Sequence, residues 1–321
     1  MKVLIVRLSA MGDIIHGLPV AANASAAGAR VGWLTDSRYA ALLEGAPFVE
    51  RVFLAPAGGH SGRGTATGGL LALRRALREW APDVTIDVQG LWKSAVAARF
   101  ARAPVIGFSR AARREPSSAI LCQHPVEPAT RLRHIVDRNL SLLEAAGIAV
   151  REPAPDARFL LERGSPRAAE FLAALPGPFA LYHPGSARAD KAWGEENYAA
   201  LARRLREQRG LLPVISWGPG DSRRVERFRA SLPDALPIPE LDYRELAQVI
   251  QTSSLFVAGD TGPLHLADAL GAPTLGLYGP TDPARNGPYR RPAAALRYNS
   301  STSVEAVAAR ALQLLTGASE P

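Results

Sequence analysis

The chain has 321 residues, carries 38 Lys and Arg against 30 Asp and Glu for a formal net charge of +8, and is 47% hydrophobic. That length suits two domains better than a single core, and no apolar run approaches the ~18–20 residues of a membrane-spanning helix. The opening MKVLIV stops at Arg7, too short for a secretory leader, and the single Cys122 rules out an internal disulfide or a cysteine-built metal site, so a cytoplasmic protein is expected.

In chain order, Lys2–Leu8 reads as a strand, followed by a turn at Met11-Gly12 and a helix to about Ala27. Val31–Thr35, Arg51–Leu54, Val84–Val88 and Pro104–Phe108 read as further strands with helices between them. Ala55–Gly69, rich in Gly, Ala, Ser and Thr without periodicity, reads as a surface loop, and Ser109–Thr130 as a second irregular stretch. Residues 149–165, with Pro153, Pro155 and Gly164, read as a linker.

Beyond it the alternation restarts. Strands are expected at Phe179–His183, Leu212–Trp217, Leu255–Ala258 and Pro273–Tyr278, with helices near 195–210, 220–231, 243–251 and 263–270, and a last helix at Val304–Leu315. Strands alternating with helices give parallel sheets. The expectation is therefore an α/β protein of two Rossmann-like domains, 1–155 and 156–321, facing across a cleft, with the last helix a candidate to pack back on the first domain. Ligands then belong at the carboxyl ends of the strands.

Three segments carry chemistry. RLSAMGDIIHGLP (7–19) follows a strand and opens a helix, which places Asp13 beside free backbone amides. Taken alone, Asp13 is read more simply as a helix cap. VAGDTGPLHLADALGAPTLGLYGPTDP (257–283) runs a strand into Gly259-Asp260-Thr261-Gly262 at a helix start, a cradle suited to a diphosphate; an ordinary capped helix is the plain alternative. HPGSARADKAW (183–193) ends a strand in a Gly-Ser loop carrying Ser186 and Lys191, a lysine that can neutralise phosphate or simply be solvated.

Charge is uneven as well. Between residues 91 and 140 there are nine basic side chains, Lys93, Arg113 and Arg114 among them, against three acidic ones. Such a patch attracts polyanions. No aromatic-interleaved basic stretch points to nucleic acid. A dinucleotide-dependent oxidoreductase would share the fold, but no GxGxxG opens the first turn and no acidic residue stands where a ribose would need one.

Together these segments resemble glycosyltransferase family 9, the heptosyltransferases of GT-B fold, over nearly the whole chain. DTG-x-x-H (260–265), YGPTDP (278–283) and MGD-x-x-H-x-L-P (11–19) carry the resemblance, and IDVQGLWKSA (86–95) with RREP (113–116) points to the branch acting on Kdo. The resemblance implies an inverting transfer of L-glycero-D-manno-heptose from ADP-heptose to Kdo of the lipopolysaccharide inner core. Asp13 would be the general base. Lys191, Ser186, Asp260, Thr261, Gly262 and His265 would bind the donor, and Arg7, Ser9, Lys93, Arg113 and Arg114 the acceptor.

No cofactor or metal is implied. The expected partners are the ADP-heptose donor, the Kdo-lipid A acceptor and the cytoplasmic face of the inner membrane, with the protein a monomer and no nucleic acid involved. Two departures stand out. The family's K-x-S-S start reads Arg7-Leu8-Ser9-Ala10, and its ribose-holding Glu is replaced by Gly218-Pro219-Gly220-Asp221, where Asp221 is the one acid available. A sibling enzyme acting on another core sugar and a non-catalytic sugar-nucleotide-binding protein are the competing readings.

Overall fold

A computed structural model describes residues 1–56, 66–185, 193–218 and 220–317. The chain divides into two compact units, Met1–Phe159 and Leu160–Pro321. The first contains β1 (Lys2–Val6), α1 (Met11–Ile15), α2 (Leu18–Ala26), β2 (Arg30–Asp36), β3 (Arg51–Ala55), α3 (Ala66–Trp80), β4 (Val84–Asp87), α4 (Trp92–Arg99), β5 (Val105–Phe108), β6 (His124–Val126) and α5 (Ile135–Ala145). Its sheet has the order β3-β2-β1-β4-β5-β6, parallel throughout.

The second unit holds α6 (Pro166–Ala173), β7 (Phe179–His183), α7 (Glu195–Arg209), β8 (Leu212–Ile215), α8 (Ser222–Ser231), β9 (Leu236–Pro237), α9 (Tyr243–Thr252), β10 (Leu255–Gly259), α10 (Gly262–Leu270), β11 (Thr274–Tyr278), α11 (Pro283–Asn286), β12 (Ala295–Arg297) and α12 (Val304–Gly317). Its parallel sheet has the order β12-β11-β10-β7-β8-β9. The α/β class read from the alternation is therefore the observed one. In both sheets the chain first builds outward from a central strand and then returns to that strand's other side. This reversal leaves the carboxyl ends of the central strands uncovered by a crossover, which is where ligand sites form in such sheets.

Strands buried on both faces read as continuous apolar runs. LIV of β1 and LFVA of β10 have no measurable exposure. The first core packs Leu4, Val6 and Leu34 against Leu73, Leu77 and Trp80 of α3 and Ala97, Ala98 and Ala101 around the end of α4. The second core packs Tyr182, Ile215 and Val257 against α7, and it takes in Val307, Ala308 and Ala311, so the inner face of α12 is committed to this unit.

Several boundaries differ from expectation. The helix expected from Met11 to Ala27 is interrupted at His16-Gly17, and a Cβ at Gly17 would lie 2.9 Å from the Trp33 ring. Ala66–Gly69, read as loop, opens α3, while 57–65 lie outside the described residues. The stretch 109–130 holds a 3-10 helix, Pro116–Leu121, and the edge strand β6. Edge strands β6, β9 and β12 are two or three residues long and lack an apolar run, so only the neighbouring strand makes them strands.

Candidate active site

At the carboxyl end of the first sheet, the ends of β1, β2 and β4 meet the start of α1. Asp13 is the third residue of α1 and turns its carboxylate back toward the chain entering the helix. Oδ2 accepts from the Ala10 amide at 3.3 Å and pairs with Arg7 Nη2 at 2.5 Å. Oδ1 has no protein hydrogen bond among the described residues, and the side chain is 44% exposed against 9% for Arg7. The simple cap reading thus accounts for one contact of one oxygen. A cap does not need a buried arginine beneath it.

Arg7 is fixed in turn. Its Nη1 donates to the Val88 carbonyl at 2.7 Å. The guanidinium, expected at the acceptor, is buried and engaged through its two terminal nitrogens by Asp13 and the end of β4. Ser9 lies beside Lys93 and Gln89. Its Oγ accepts from Lys93 Nζ at 2.8 Å and from Gln89 Nε2 at 3.4 Å, and Gln89 Oε1 accepts from the Leu8 amide at 2.8 Å. Gln89 was not among the candidate residues, although it lies within the IDVQG segment that carried the resemblance.

Asp36, at the end of β2, is paired with Arg38 at 2.9 Å. The hydrogen bond from Arg38 holds its carboxyl below the ordinary range, with a smaller contribution from the positive charge of Lys93. With Arg7 matched to Asp13 and Arg38 to Asp36, Lys93 is the cation of this cluster without a carboxylate of its own among these contacts.

Arg113 does not belong to an exposed patch, contrary to its assignment as an acceptor-gripping residue. Its side chain is fully buried against an equally buried Asp87 at 3.3 Å, and it also donates to the Phe108 carbonyl and to Ser118 Oγ. Asp87 Oδ1 accepts from the amides of Gln89 and Gly90 at 3.1 and 3.2 Å. The pair sits under the turn that carries Gln89. Gly90 has φ +68°, and a Cβ there would press on Arg113 Cγ at 3.3 Å, so glycine lets the turn close over the arginine. Burial pushes the Asp87 carboxyl up, and the charge of Arg113 opposes it. Arg114 is exposed, as expected.

In the second unit, β10 ends at Gly259 and α10 starts at Gly262 with Pro263 in its first turn. Thr261 Oγ1 donates to the Gly259 carbonyl at 3.2 Å and makes no cap hydrogen bond. The amides of Thr261 and Gly262 have no acceptor among the described residues, which leaves two N–H groups at the positive end of a nine-residue helix. Asp260 is buried: its Oδ1 accepts from Asn286 Nδ2 at 2.7 Å and lies 3.3 Å from His265 Nε2. Asn286, of α11, was not anticipated, since it lies three residues past the YGPTDP signature. The Tyr289 and Arg290 amides donate to Asp268, fastening that segment to α10.

The end of β7 shows a second close approach. A Cβ on Gly185 would lie 2.7 Å from both His183 Nε2 and Asp221 Oδ2. His183 Nδ1 is 3.0 Å from Ser216 Oγ, and burial pushes its pKa down to about 4, so the ring is neutral at pH 7. Asp221 accepts from the Gly218 amide at 3.1 Å and pairs with Arg224 at 3.5 Å. Ser186 and Lys191 lie outside the described residues. Among the described residues no three His, Cys, Asp or Glu side chains are grouped as metal ligands.

A half-exposed carboxylate seated on a buried arginine, and an amide-rich strand–helix turn on a second parallel unit, are the parts of a sugar-nucleotide transferase. The chain belongs to glycosyltransferase family 9 (heptosyltransferase), whose profile matches residues 70–314. Lipopolysaccharide heptosyltransferase 1 of Pseudomonas aeruginosa is 34% identical over 302 residues, covering 91% of this chain and 82% of that protein. Among solved structures, E. coli heptosyltransferase WaaC with ADP superposes with a TM-score of 0.80 at 28% identity, covering 98% of this chain and 100% of that one. The same enzyme with ADP-2-deoxy-2-fluoro heptose gives 0.76 at 27% identity, covering 99% and 100%.

Proposed function

We propose that this chain moves L-glycero-D-manno-heptose from ADP-heptose to Kdo of the lipopolysaccharide inner core, with inversion and with Asp13 as the base. The observation that carries this reading is the Asp13 carboxylate, with Oδ2 held by Arg7 and the Ala10 amide and Oδ1 open. Arg7 and the Ala10 amide hold one carboxylate oxygen, and the open oxygen is the one able to accept a proton. As the acceptor oxygen attacks the anomeric carbon, its proton passes to Asp13 and the bond from that carbon to the diphosphate oxygen breaks. ADP then leaves with the bonding pair.

The second unit supports the donor half of this reading. Negative charge developing on the diphosphate is met by the amides of Thr261 and Gly262 and by Lys191, which together supply electrostatic stabilisation. Ser186 is a further donor contact in this proposal. Asp260 and His265 act as one buried unit with Asn286 at the mouth of the same turn. On the acceptor side, Ser9, Lys93 and Arg114 are the groups available to Kdo carboxylate and lipid phosphate. The protein acts as a cytoplasmic monomer in peripheral contact with the inner membrane.

The test is a matrix of ADP- and UDP-linked heptose and hexose donors against Kdo-bearing lipid A and a heptosylated core, with products read by mass spectrometry. Heptosylated Kdo-lipid A from ADP-heptose is the expected product. Transfer only to the heptosylated core would refute the acceptor, and UDP-sugar use would refute the donor.

A further inference from the structure

Among the described residues, eight large hydrophobic side chains are exposed, and five of them lie on α3, α4 and the 3-10 helix Pro116–Leu121 of the first unit. Ile120 is 81% exposed, Leu71 59%, Trp92 and Val96 43% each, and Leu70 40%. Leu70 and Leu71 stand on α3, Trp92 and Val96 one turn apart on α4, and Ile120 on the 3-10 helix Pro116–Leu121. The 3-10 segment packs on α4, and α3 meets α4 through the core beneath them. The inner sides of α3 and α4 share one core, and the 3-10 segment is stitched to α4 by Glu115 on the Trp92 amide and Ser117 on the Trp92 ring nitrogen, at 2.6 and 3.1 Å. Isolated surface hydrophobics are ordinary; a grouping on adjoining elements marks an interaction surface.

The charge around them is mostly basic. Arg74 lies over the Phe100 ring at 5.6 Å. Desolvation and the like charges of Arg102 and Arg74 hold the Arg78 guanidinium below its ordinary value, so three arginines from α3 and the end of α4 crowd one another. The only acid on α3 is Glu79, already paired with Arg75 at 2.7 Å, and α4 has none. Crowded arginines without carboxylates call for an anionic partner. Aliphatic and Trp side chains spread over three elements call for a broad apolar one. A bilayer with acidic headgroups offers both at once, with Trp at the headgroup level and Arg on the phosphates.

We infer that the α3–α4–3-10 face, with Leu71, Val96, Trp92 and Ile120 at its surface and arginines around them, docks this protein on an anionic phospholipid bilayer. This rests on the peripheral contact proposed above and locates it; it does not depend on which sugar is transferred. Cationic attraction brings the face to the membrane, and the apolar side chains set how long it stays.

The experiment uses the full chain with vesicles that contain no acceptor, one set of phosphatidylglycerol with phosphatidylethanolamine and one of phosphatidylcholine alone, read by co-sedimentation at about 0.05 and 0.5 M salt. Expected is binding to the acidic vesicles that weakens with salt, little binding to neutral ones, and a loss of about tenfold or more in Leu71→Glu with Ile120→Glu and in Arg78→Glu. Turnover on detergent-dispersed acceptor should be unchanged in these variants, since none of the three residues belongs to the site. Unchanged vesicle binding in the variants, or equal binding to neutral vesicles, overturns the docking face. A parallel loss of detergent-phase turnover also overturns it, by placing the face in the catalytic machinery. Failure of the heptose-transfer reading would leave vesicle binding intact, so the two are separable.

Discussion

Replacing Arg113 by Met removes one half of an ion pair whose two side chains have no exposure. Asp87 keeps its hydrogen bonds from Gln89 and Gly90 but loses its counter-charge, and Phe108 and Ser118 lose a donor. Breaking a buried pair by deleting one partner costs about 3–5 kcal/mol, most of it from the stranded charge. For a unit of this size each kcal/mol moves the midpoint about 2–4 °C, so the expected drop in Tm is about 6–20 °C.

The sign with pH follows from the raised Asp87 carboxyl. A carboxyl raised on folding favours the protonated folded state, so its contribution to stability declines as pH rises from the ordinary 3.8 through the folded value. Without Arg113 that decline extends to higher pH. Asp87→Asn with Arg113→Met removes both charges together and should recover most of the stability, because a neutral buried pair strands nothing. Thermal and urea denaturation of the single and double variants measure this. A single variant losing less than about 1 kcal/mol, or a double variant no more stable than the single, would refute the argument.

The double variant has a further use. The Asp87 carboxylate anchors the turn through which Gln89 reaches Ser9 and Val88 reaches Arg7, so recovered stability with reduced kcat would trace the loss to the site geometry.

Asp13→Asn should lower kcat by roughly two or more powers of ten with donor affinity nearly unchanged, the range for losing a general base; retention of most turnover would remove Asp13 from that role. Lys191→Ala should weaken ADP binding by roughly tenfold to a hundredfold, the value of a charge-assisted contact, and leave acceptor titration unaffected. Full activity in excess EDTA is expected, and activity abolished by EDTA and restored by Mg²⁺ would reverse that. His183, depressed to about 4 from 6.5, stabilises the fold above pH 6.5 and loses this contribution as pH falls toward 4. Unfolding free energies from urea denaturation at pH 7 and 5 should differ by about 2 kcal/mol from this residue, and His183→Gln should flatten the difference.

The alternation of apolar runs and helical segments sufficed for the α/β class, because strands buried on both faces must be continuously apolar whatever surrounds them. Gly259, Thr261, Gly262 and Asp13 were legible for a similar reason: turns from strand to helix have local requirements that a short segment states by itself. Arg7 and Arg113 were not. Both read as solvated or acceptor-binding arginines, and only the sheet brings their partners: β4 beside β1 carries the Val88 carbonyl to Arg7 across 81 residues, and β5 beside β4 carries Arg113 to Asp87 across 26. Gln89 and Asn286 were missed alike, since an amide side chain has no pattern until its partner arrives. The sequence by itself thus determined the layers and the strand-to-helix turns at the ends of β1 and β10. The tertiary structure decided which charges are buried and spent on one another and which remain for a substrate, because the burial of an ion depends on neighbours that only the folded sheet supplies.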